Sequence, residues 1–261
     1  MIGAAALLVM LGAFAFWRWP PVRTAPAHVA AHVVAARRPV IAKPPTPLPL
    51  PALLDADAFA RRLATNDGSA QPAWTQLLAS WNVRSNQNDS ATAASCPPVL
   101  APGVFCASGN ARLSRLAQFD RPAILRLRAN GRMVSALLLG LGSTEALLQL
   151  DSDTFRVRRV VLENALAGYT AIWRGPDTLA PPLKFNDAGA GVAWLRERLL
   201  PADAQAASAS TPATYDAALS AAVRGVQRDF GLRGDGVAGP ETLLALMAAD
   251  RSGPHLRKLQ E

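Results

Sequence analysis

Two cysteines are the residues of this chain with the clearest capacity for covalent chemistry. Cys96 and Cys106 bracket the stretch CPPVLAPGVFC, and FCASGNARLSRL would place Cys106 ahead of a helix whose N-terminus could lower a thiol pKa. A nucleophilic cysteine needs a base, however, and the three histidines, His28, His32 and His255, all lie far from this loop in sequence. Because paired cysteines in an exported chain usually form disulfides, we predict a Cys96–Cys106 bridge.

The sequence offers few candidate side chains for other kinds of catalysis or for cofactor binding. Without a histidine, the central part of the chain offers no Ser-His-Asp triad and no histidine zinc site, and a Ser-Lys pair has only Lys184 to use. No G-x-x-x-x-G-K-[ST] motif occurs, and neither Lys43 nor Lys258 follows a glycine-rich loop. We therefore expect no catalytic residue, no metal and no cofactor.

The net charge of +8 is concentrated at the N-terminus. Residues 1–54 hold five basic and no acidic residues, so this leader accounts for most of the excess, and the remaining chain is nearly balanced. A basic face for nucleic acid would need cations clustered on a folded domain. The composition therefore predicts no nucleic-acid partner.

The first 19 residues have the composition of a membrane span. No charged side chain precedes Arg18, and Trp17 and Trp19 stand where an interfacial aromatic belt is expected. We predict a transmembrane helix over 1–19, with residues 2–19 in the membrane. Because the basic residues follow the apolar run, a cytoplasmic portion is expected upstream of Met1; the alternative is a signal peptide cleaved after Ala27.

The segment after this helix has the composition of a spacer. Nine prolines lie between Pro20 and Pro51, and most other residues there are small. Such a composition favours extended backbone, which advances about 3 Å per residue. We predict a Pro/Ala-rich spacer over 20–54 that reaches on the order of 100 Å from the bilayer.

Residues 55–178 show helical periodicity first and strand periodicity afterwards. Residues 55–82 predict two helices broken around NDGSAQP. Strands are predicted for AILRLRA (123–129), VSALLLGLG (134–142), ALLQLD, TFRVRR and YTAIWRGP (169–176), with VVLENALAG as a short helix. Helices followed by an antiparallel sheet predict an α+β domain.

Residues 188–250 predict three small helices, preceded by a linker at 179–187 and followed by a tail at 251–261. The first helix is VAWLRERLL, and the second places Leu219, Val223, Val226 and Phe230 on one face. Gly231 ends the second helix, RGDGVAG supplies the turn, and Pro240 begins the third.

The pattern YD...L..AV...Q...GL..DGVAGPETL..L resembles the small peptidoglycan-binding domain found in many cell-wall enzymes. Val226 departs from it, because the family usually has phenylalanine before the glutamine. The resemblance implies peptidoglycan as the ligand. A shallow groove with polar donors and a cation would suit sugar hydroxyls, amides and carboxylates. We expect it to be lined by Tyr215, Gln227, Arg233, Asp235 and Thr242.

The preceding block resembles the periplasmic half of the type II secretion A component, the GspA or ExeA family. The similarity lies in LLASWNV, APGVFCASGNARLSRLAQFDRPAILRL and YTAIWRGP, followed directly by GVAWLRERL. That family joins an AAA ATPase, one membrane span, a domain related to double-glycine cysteine peptidases, and the peptidoglycan-binding domain. By this resemblance, residues 55–178 are a degenerate peptidase, with Ser135 about where active relatives carry a histidine.

The resemblance implies a non-enzymatic, single-pass protein of the inner membrane, with its bulk in the periplasm of a Gram-negative bacterium. Its expected partners are peptidoglycan, the inner-membrane type II secretion B component and, indirectly, the secretin. One alternative is a peptidoglycan hydrolase that uses only carboxylates, such as Glu145 or Glu163. Another is a structural adaptor whose wall-binding groove has decayed.

Overall fold

The structure, a computed structural model, describes residues 50–84, 87–202 and 213–259. The predicted transmembrane helix 1–19 and all but the last five residues of the predicted spacer lie outside these ranges. Within the described ranges, no helix is both long and apolar enough to cross a bilayer. The described residues form one compact unit, so the first domain (55–178) and the second domain (188–250) belong to the same body.

One mixed sheet organises the first domain, and its described strands lie in the order β1-β7-β6-β5-β4-β8-β3-β2. All neighbouring pairs are antiparallel except β1 and β7. The strands are β1 (Leu53–Leu54), β2 (Val99–Ala101), β3 (Val104–Gly109), β4 (Ala123–Ala129), β5 (Arg132–Leu141), β6 (Glu145–Leu150), β7 (Asp153–Arg158) and β8 (Leu166–Arg174).

As the alternation of AILRLRA predicts, Leu125 and Leu127 are buried while Arg126 and Arg128 are exposed. The predicted last strand, 169–176, instead begins at Leu166, because β8 pairs with β4 from its first residue, across a register shift.

Five helices of the described chain accompany this sheet. They are α1 (Ala56–Thr65), α2 (Gln71–Ser80), α3 (Gln87–Ala94), α4 (Leu113–Phe119) and α5 (Arg159–Ala165). Asp55 caps α1 by accepting the Ala58 N–H at 2.7 Å, and Pro72 lies in the first turn of α2. The two helices predicted around NDGSAQP and the short helix in VVLENALAG are confirmed, as is the α+β class.

Within the described residues, three short helices form the second domain. They are α6 (Ala190–Leu199), α7 (Ala217–Asp229) and α8 (Pro240–Leu246), and α8 continues into a 3-10 turn at Met247–Ala249. In α7, Leu219 and Val223 are fully buried, as the apolar periodicity predicts. Gly231 follows α7 with a φ of +61°, a left-handed conformation that glycine adopts without steric cost.

The predicted disulfide is present. Cys96 and Cys106 are bonded with their Cα atoms 5.4 Å apart, and the bridge ties the segment after α3 to strand β3. Cys106 is buried among the core residues, and no described cysteine is free. Because its sulfur is bonded, Cys106 is not a thiol nucleophile in this structure.

The structure corrects three boundaries of the predicted domains. The last residues of the spacer join the sheet as β1, where the Arg156 N–H donates to Ala52 O at 2.7 Å. The predicted linker 179–187 is packed: Leu183 exchanges two backbone hydrogen bonds with Ala238, at 3.1 and 2.8 Å. These pairings satisfy backbone groups that local sequence patterns leave unassigned.

The third correction concerns the tail, 251–261, whose described part returns to the first domain. Arg257 forms a parallel bridge with Gly140 of β5, and its N–H donates to Leu139 O at 2.9 Å. The pairing of β5 with β6 shifts register between Leu138 and Gly140, and the tail pairs with β5 at this shift. A side chain at Gly140 would collide with Arg257.

A buried arginine connects the end of α8 to the first domain. The Arg121 side chain lies among the carbonyl oxygens of Met247, Asp250, Ser252 and Pro254 and donates to each of them; the bonds to Met247 and Ser252 are 2.8 and 2.7 Å long. These carbonyl groups lie in the 3-10 turn and the segment that follows it, and one buried cation donates to all of them. Arg121 therefore fixes the end of the second domain against the first.

We expect replacement of Cys96 and Cys106 by serine to lower the free energy of unfolding by about 2 to 3 kcal/mol, because a bridge over so short a loop restricts the unfolded chain. Urea denaturation of the oxidised wild type and the double variant measures the difference. The same double variant should be insensitive to dithiothreitol, whereas the wild type should lose a similar amount of stability on reduction. Equal stability of wild type and variant would contradict a stabilising bridge.

We expect Arg121→Met to lower the free energy of unfolding by about 3 to 5 kcal/mol, because removing the buried cation leaves several carbonyl groups without donors. Arg121→Lys should lose less, since an ammonium group restores the charge but has only three N–H donors. Thermal unfolding followed by circular dichroism ranks the three proteins. If Arg121→Met is as stable as the wild type, the hydrogen bonds of Arg121 to these carbonyl groups contribute nothing to stability.

Candidate peptidoglycan-binding site

The candidate site is the turn between α7 and α8, residues 230–239. The turn reverses the chain through Gly231 and Gly236, whose φ angles are +61° and +75°. At Gly236 a side chain would also collide with Ser220 and Arg224 of α7. The turn thus lies flat against α7, and its shape depends on glycine at this position.

Gln227 holds the turn from inside. Its side chain is only 2% exposed, and its amide nitrogen donates to Asp235 Oδ1 at 2.9 Å and to Val237 O at 3.0 Å. The amide nitrogen also lies 3.2 Å from Thr242 Oγ1, and the amide oxygen accepts the Gly236 N–H at 2.9 Å. A buried amide whose donors and acceptor are all used stabilises one backbone path.

Tyr215 supports the same turn from the other side. Its ring is fully buried, and its hydroxyl donates to Gly236 O at 2.7 Å. Burial raises the pKa of Tyr215 to about 12. Of the five residues predicted to line a groove, the structure therefore turns Tyr215, Gln227 and Thr242 inward. Their polar groups hold the turn together.

Asp235 and Arg233 are the two predicted site residues that reach the surface. Asp235 Oδ1 accepts the Val237 N–H at 2.9 Å as well as the Gln227 amide, and these bonds hold the pKa of Asp235 below its usual range, the backbone N–H of Val237 having the largest effect. The guanidinium of Arg233 is exposed and makes no salt bridge or hydrogen bond within the described residues, and its positive charge contributes to the lowered pKa of Asp235. Arg233 therefore presents its charge to solvent beside a rigid turn.

An ion pair that the sequence patterns did not reveal joins α6 to α7. Arg196 is 4% exposed and donates to Asp216 Oδ2 at 2.8 Å and to Thr214 O at 3.1 Å. Asp216 also caps α7 by accepting the Leu219 N–H at 2.8 Å. In the sequence, Arg196 looks like one of several solvated charges of an amphipathic helix, so only the tertiary contact identifies its role.

The turn and the start of α8 are docked on the first domain by three contacts. Arg115 of α4 donates to Gly231 O at 2.6 Å, and the rings of Phe119 and Phe230 stack with centroids 5.9 Å apart. The Tyr169 hydroxyl donates to Glu241 Oε1 at 2.6 Å. Burial and this carboxylate both raise the pKa of Tyr169, so the hydroxyl keeps its proton. The candidate site therefore has a fixed position on the α+β domain.

The residues considered for catalysis have structural partners. Ser135 lies in β5 opposite Arg126. The carboxylate of Glu145 pairs with Arg156 at 2.6 Å, and that of Glu163 accepts the Leu113 N–H at 3.1 Å. In the part of the chain that the structure describes, no group of three or more His, Cys, Asp or Glu residues could hold a metal ion.

Comparison with known proteins agrees with this division of the chain. Residues 188–246 match the family described as "Putative peptidoglycan binding domain". Over 170 residues the chain is 31% identical to general secretion pathway protein A of Aeromonas hydrophila; this region is 64% of the chain but 30% of the relative. The chain thus spans less than a third of that protein's length.

Two solved structures resemble the fold at low identity. A periplasmic domain of the EpsAB fusion protein of the Vibrio vulnificus type II secretion system is 21% identical, with a TM-score of 0.44, over 72% of this chain and 81% of that one. The N-terminal peptidase C39-like domain of a toxin secretion ATP-binding protein from Vibrio parahaemolyticus is 14% identical, with a TM-score of 0.26, over 49% of this chain and 99% of that one.

The sequence resemblance is confirmed by the matches over both domains. The peptidoglycan-binding match covers residues 188–246, and the 170 residues similar to general secretion pathway protein A are too many to lie within that domain alone. The chain is therefore similar to the GspA/ExeA family, and its residues 188–246 match a peptidoglycan-binding domain.

Proposed function

We propose that this chain is a non-enzymatic, membrane-anchored peptidoglycan-binding protein that assists assembly of the type II secretion secretin across the cell wall. The observation that carries the proposal is the family match at residues 188–246, which falls on the domain whose rigid turn exposes Arg233. Similarity to general secretion pathway protein A over 64% of the chain supports the secretion role.

The geometry suits binding to a polymer that carries amides, hydroxyls and carboxylates. Gln227, Tyr215 and Thr242 fix the turn from within, so little conformational entropy is lost when a ligand contacts its outer surface. Arg233 then supplies a guanidinium that donates paired hydrogen bonds to a carboxylate or carbonyl group. Asp235 contributes the rim of the turn and accepts hydrogen bonds from ligand amides or hydroxyls through its second oxygen.

The side chains available for chemistry support a non-enzymatic role. Both cysteines are bonded to each other, and His255 is the one histidine in the sequence beyond the spacer. That histidine pairs with Asp120 at 2.8 Å, at the junction of the two domains. A peptidase-like nucleophile and base are therefore lacking in the α+β domain, which we propose has kept a peptidase-like scaffold without its chemistry.

The proposed location follows from the N-terminal sequence. Residues 1–19 would anchor the chain in the inner membrane, and the Pro/Ala-rich spacer would carry the body through the periplasm to the wall. The type II secretion B component would be its partner at the inner membrane, and the secretin would be an indirect partner. Binding to peptidoglycan would hold this assembly at one place in the wall.

Co-sedimentation of the full-length chain with purified Gram-negative sacculi tests both parts of the proposal. We expect the protein to pellet with the sacculi and to release no soluble muropeptides into the supernatant. Release of muropeptides would show a hydrolase and contradict the non-enzymatic role. Failure to pellet would show that the domain has lost its ligand and would favour a structural adaptor.

Two variants separate ligand contact from support of the turn. Arg233→Ala should weaken sacculus binding by about threefold to tenfold at unchanged melting temperature, because it removes an exposed donor. Gln227→Leu should lower the free energy of unfolding by about 2 to 4 kcal/mol, since it leaves the buried polar groups of the turn without hydrogen-bond partners.

The matched control for Arg233→Ala is Arg61→Ala, which removes one exposed positive charge from the first domain. We expect it to leave both sacculus binding and stability unchanged. Equal weakening by Arg61→Ala and Arg233→Ala would show that binding depends only on overall charge.

A further inference from the structure

An arginine-lined cavity lies beside the junction of the two domains. Its volume is about 460 Å³, and its wall includes Arg112, Arg115 and Arg128 together with Asn110 and Ser114. The arginines come from the start of α4, the body of α4 and the end of β4, so the fold brings them together from separate parts of the sequence. No acidic residue lines the cavity.

The charge of this cavity is not neutralised within the described part of the chain. Arg112 and Arg128 are exposed and form no ion pair there, and Arg128 donates only a long hydrogen bond of 3.3 Å to Leu166 O. The nearby carboxylate of Glu163 accepts the Leu113 N–H and makes no ion pair with the three arginines. Like charges held together without a counter-ion favour binding of an anion.

One side chain, Arg115, connects the cavity with the candidate site on the second domain. Arg115, which lines the cavity, also donates to Gly231 O at 2.6 Å, and Gly231 begins the turn that carries Arg233. One side chain therefore touches both surfaces.

We propose that this cavity binds the free carboxylates of peptidoglycan stem peptides while the turn of the second domain contacts the same strand. This inference rests on the proposed function and adds a second contact surface to it. Stem peptides carry carboxylates at regular intervals, and guanidinium groups match carboxylates with paired hydrogen bonds. The cavity would thus recognise the peptide part of the wall, and both domains would share the binding.

Sacculus binding by an Arg112→Ala/Arg128→Ala double variant of the full-length chain tests this inference. Both arginines are exposed, so their removal should leave the melting temperature unchanged. We expect binding to intact sacculi about tenfold weaker than for the wild type, because two charge-assisted contacts are lost. The matched control is Arg61→Ala/Arg84→Ala, which removes two exposed charges from outside the cavity and should bind as the wild type does.

A second probe identifies the ligand group. Coupling methylamine to sacculi with a carbodiimide turns their carboxylates into neutral amides. Wild type should then bind about as weakly as the double variant, and the two should no longer differ. If the double variant binds more weakly than the wild type by the same factor on intact and on amidated sacculi, the carboxylate assignment is overturned.

The outcomes also distinguish this inference from the proposed function. If the wild type pellets and the double variant pellets equally well, the cavity plays no part, while wall binding by the second domain stands. If the wild type fails to pellet with intact sacculi, both the proposed function and this inference are overturned. Equal loss in the double variant and its matched control would assign the effect to net charge and would also overturn the inference.

Discussion

The relative position of the two domains depends on satisfying the carbonyl groups at the end of the second domain. The last helix ends at Leu246, and the carbonyl oxygens of Met247 and of three residues beyond the following 3-10 turn converge on one place. Arg121 donates to them from the first domain, and its guanidinium also lies 5.5 Å from the Trp81 ring centroid. One buried cation thus meets a local hydrogen-bonding requirement and sets a domain orientation at the same time.

The turn between α7 and α8 acquires its rigidity in the same way, through buried polar groups that accept only one arrangement. Gln227 uses its amide on three parts of the turn, and Tyr215 adds the Gly236 carbonyl. Unpaired, each of these groups would be costly to bury, so alternative backbone paths are disfavoured. The residue types that look suited to binding sugars and peptides therefore serve mainly to shape the surface that binds.

The sequence predicted the helices, strands and turns whose formation depends on residues close together in the chain. Apolar periodicity predicted α7, the alternation of AILRLRA predicted β4, and the spacing of the cysteines in an exported chain predicted their bridge. The glycines around residue 236 and Pro240 predicted the turn and the start of α8. These features depend on neighbouring residues, so a local pattern is sufficient to find them.

Contacts between distant residues could not be predicted in this way. Nothing near Arg121 in sequence indicates carbonyl partners more than 120 residues away, and nothing near Arg257 indicates pairing with β5. For the same reason, polar types suggested Gln227 and Thr242 as ligand contacts, although burial decides the direction in which they point. The positive charge and the exposure of the Arg233 side chain were predictable from the sequence, and its neighbours in space were not.

The return of the tail to β5 changes how the domains are counted. Because Leu256 bonds to Asp120 and Arg257 pairs with Leu139–Leu141 after the second domain is complete, the α+β domain is built from two separate stretches of chain. In topological terms, the peptidoglycan-binding domain is an insertion into its neighbour and not an appendage to it. Both ends of the insert are anchored in the host, so a single cut in the chain cannot separate two complete domains.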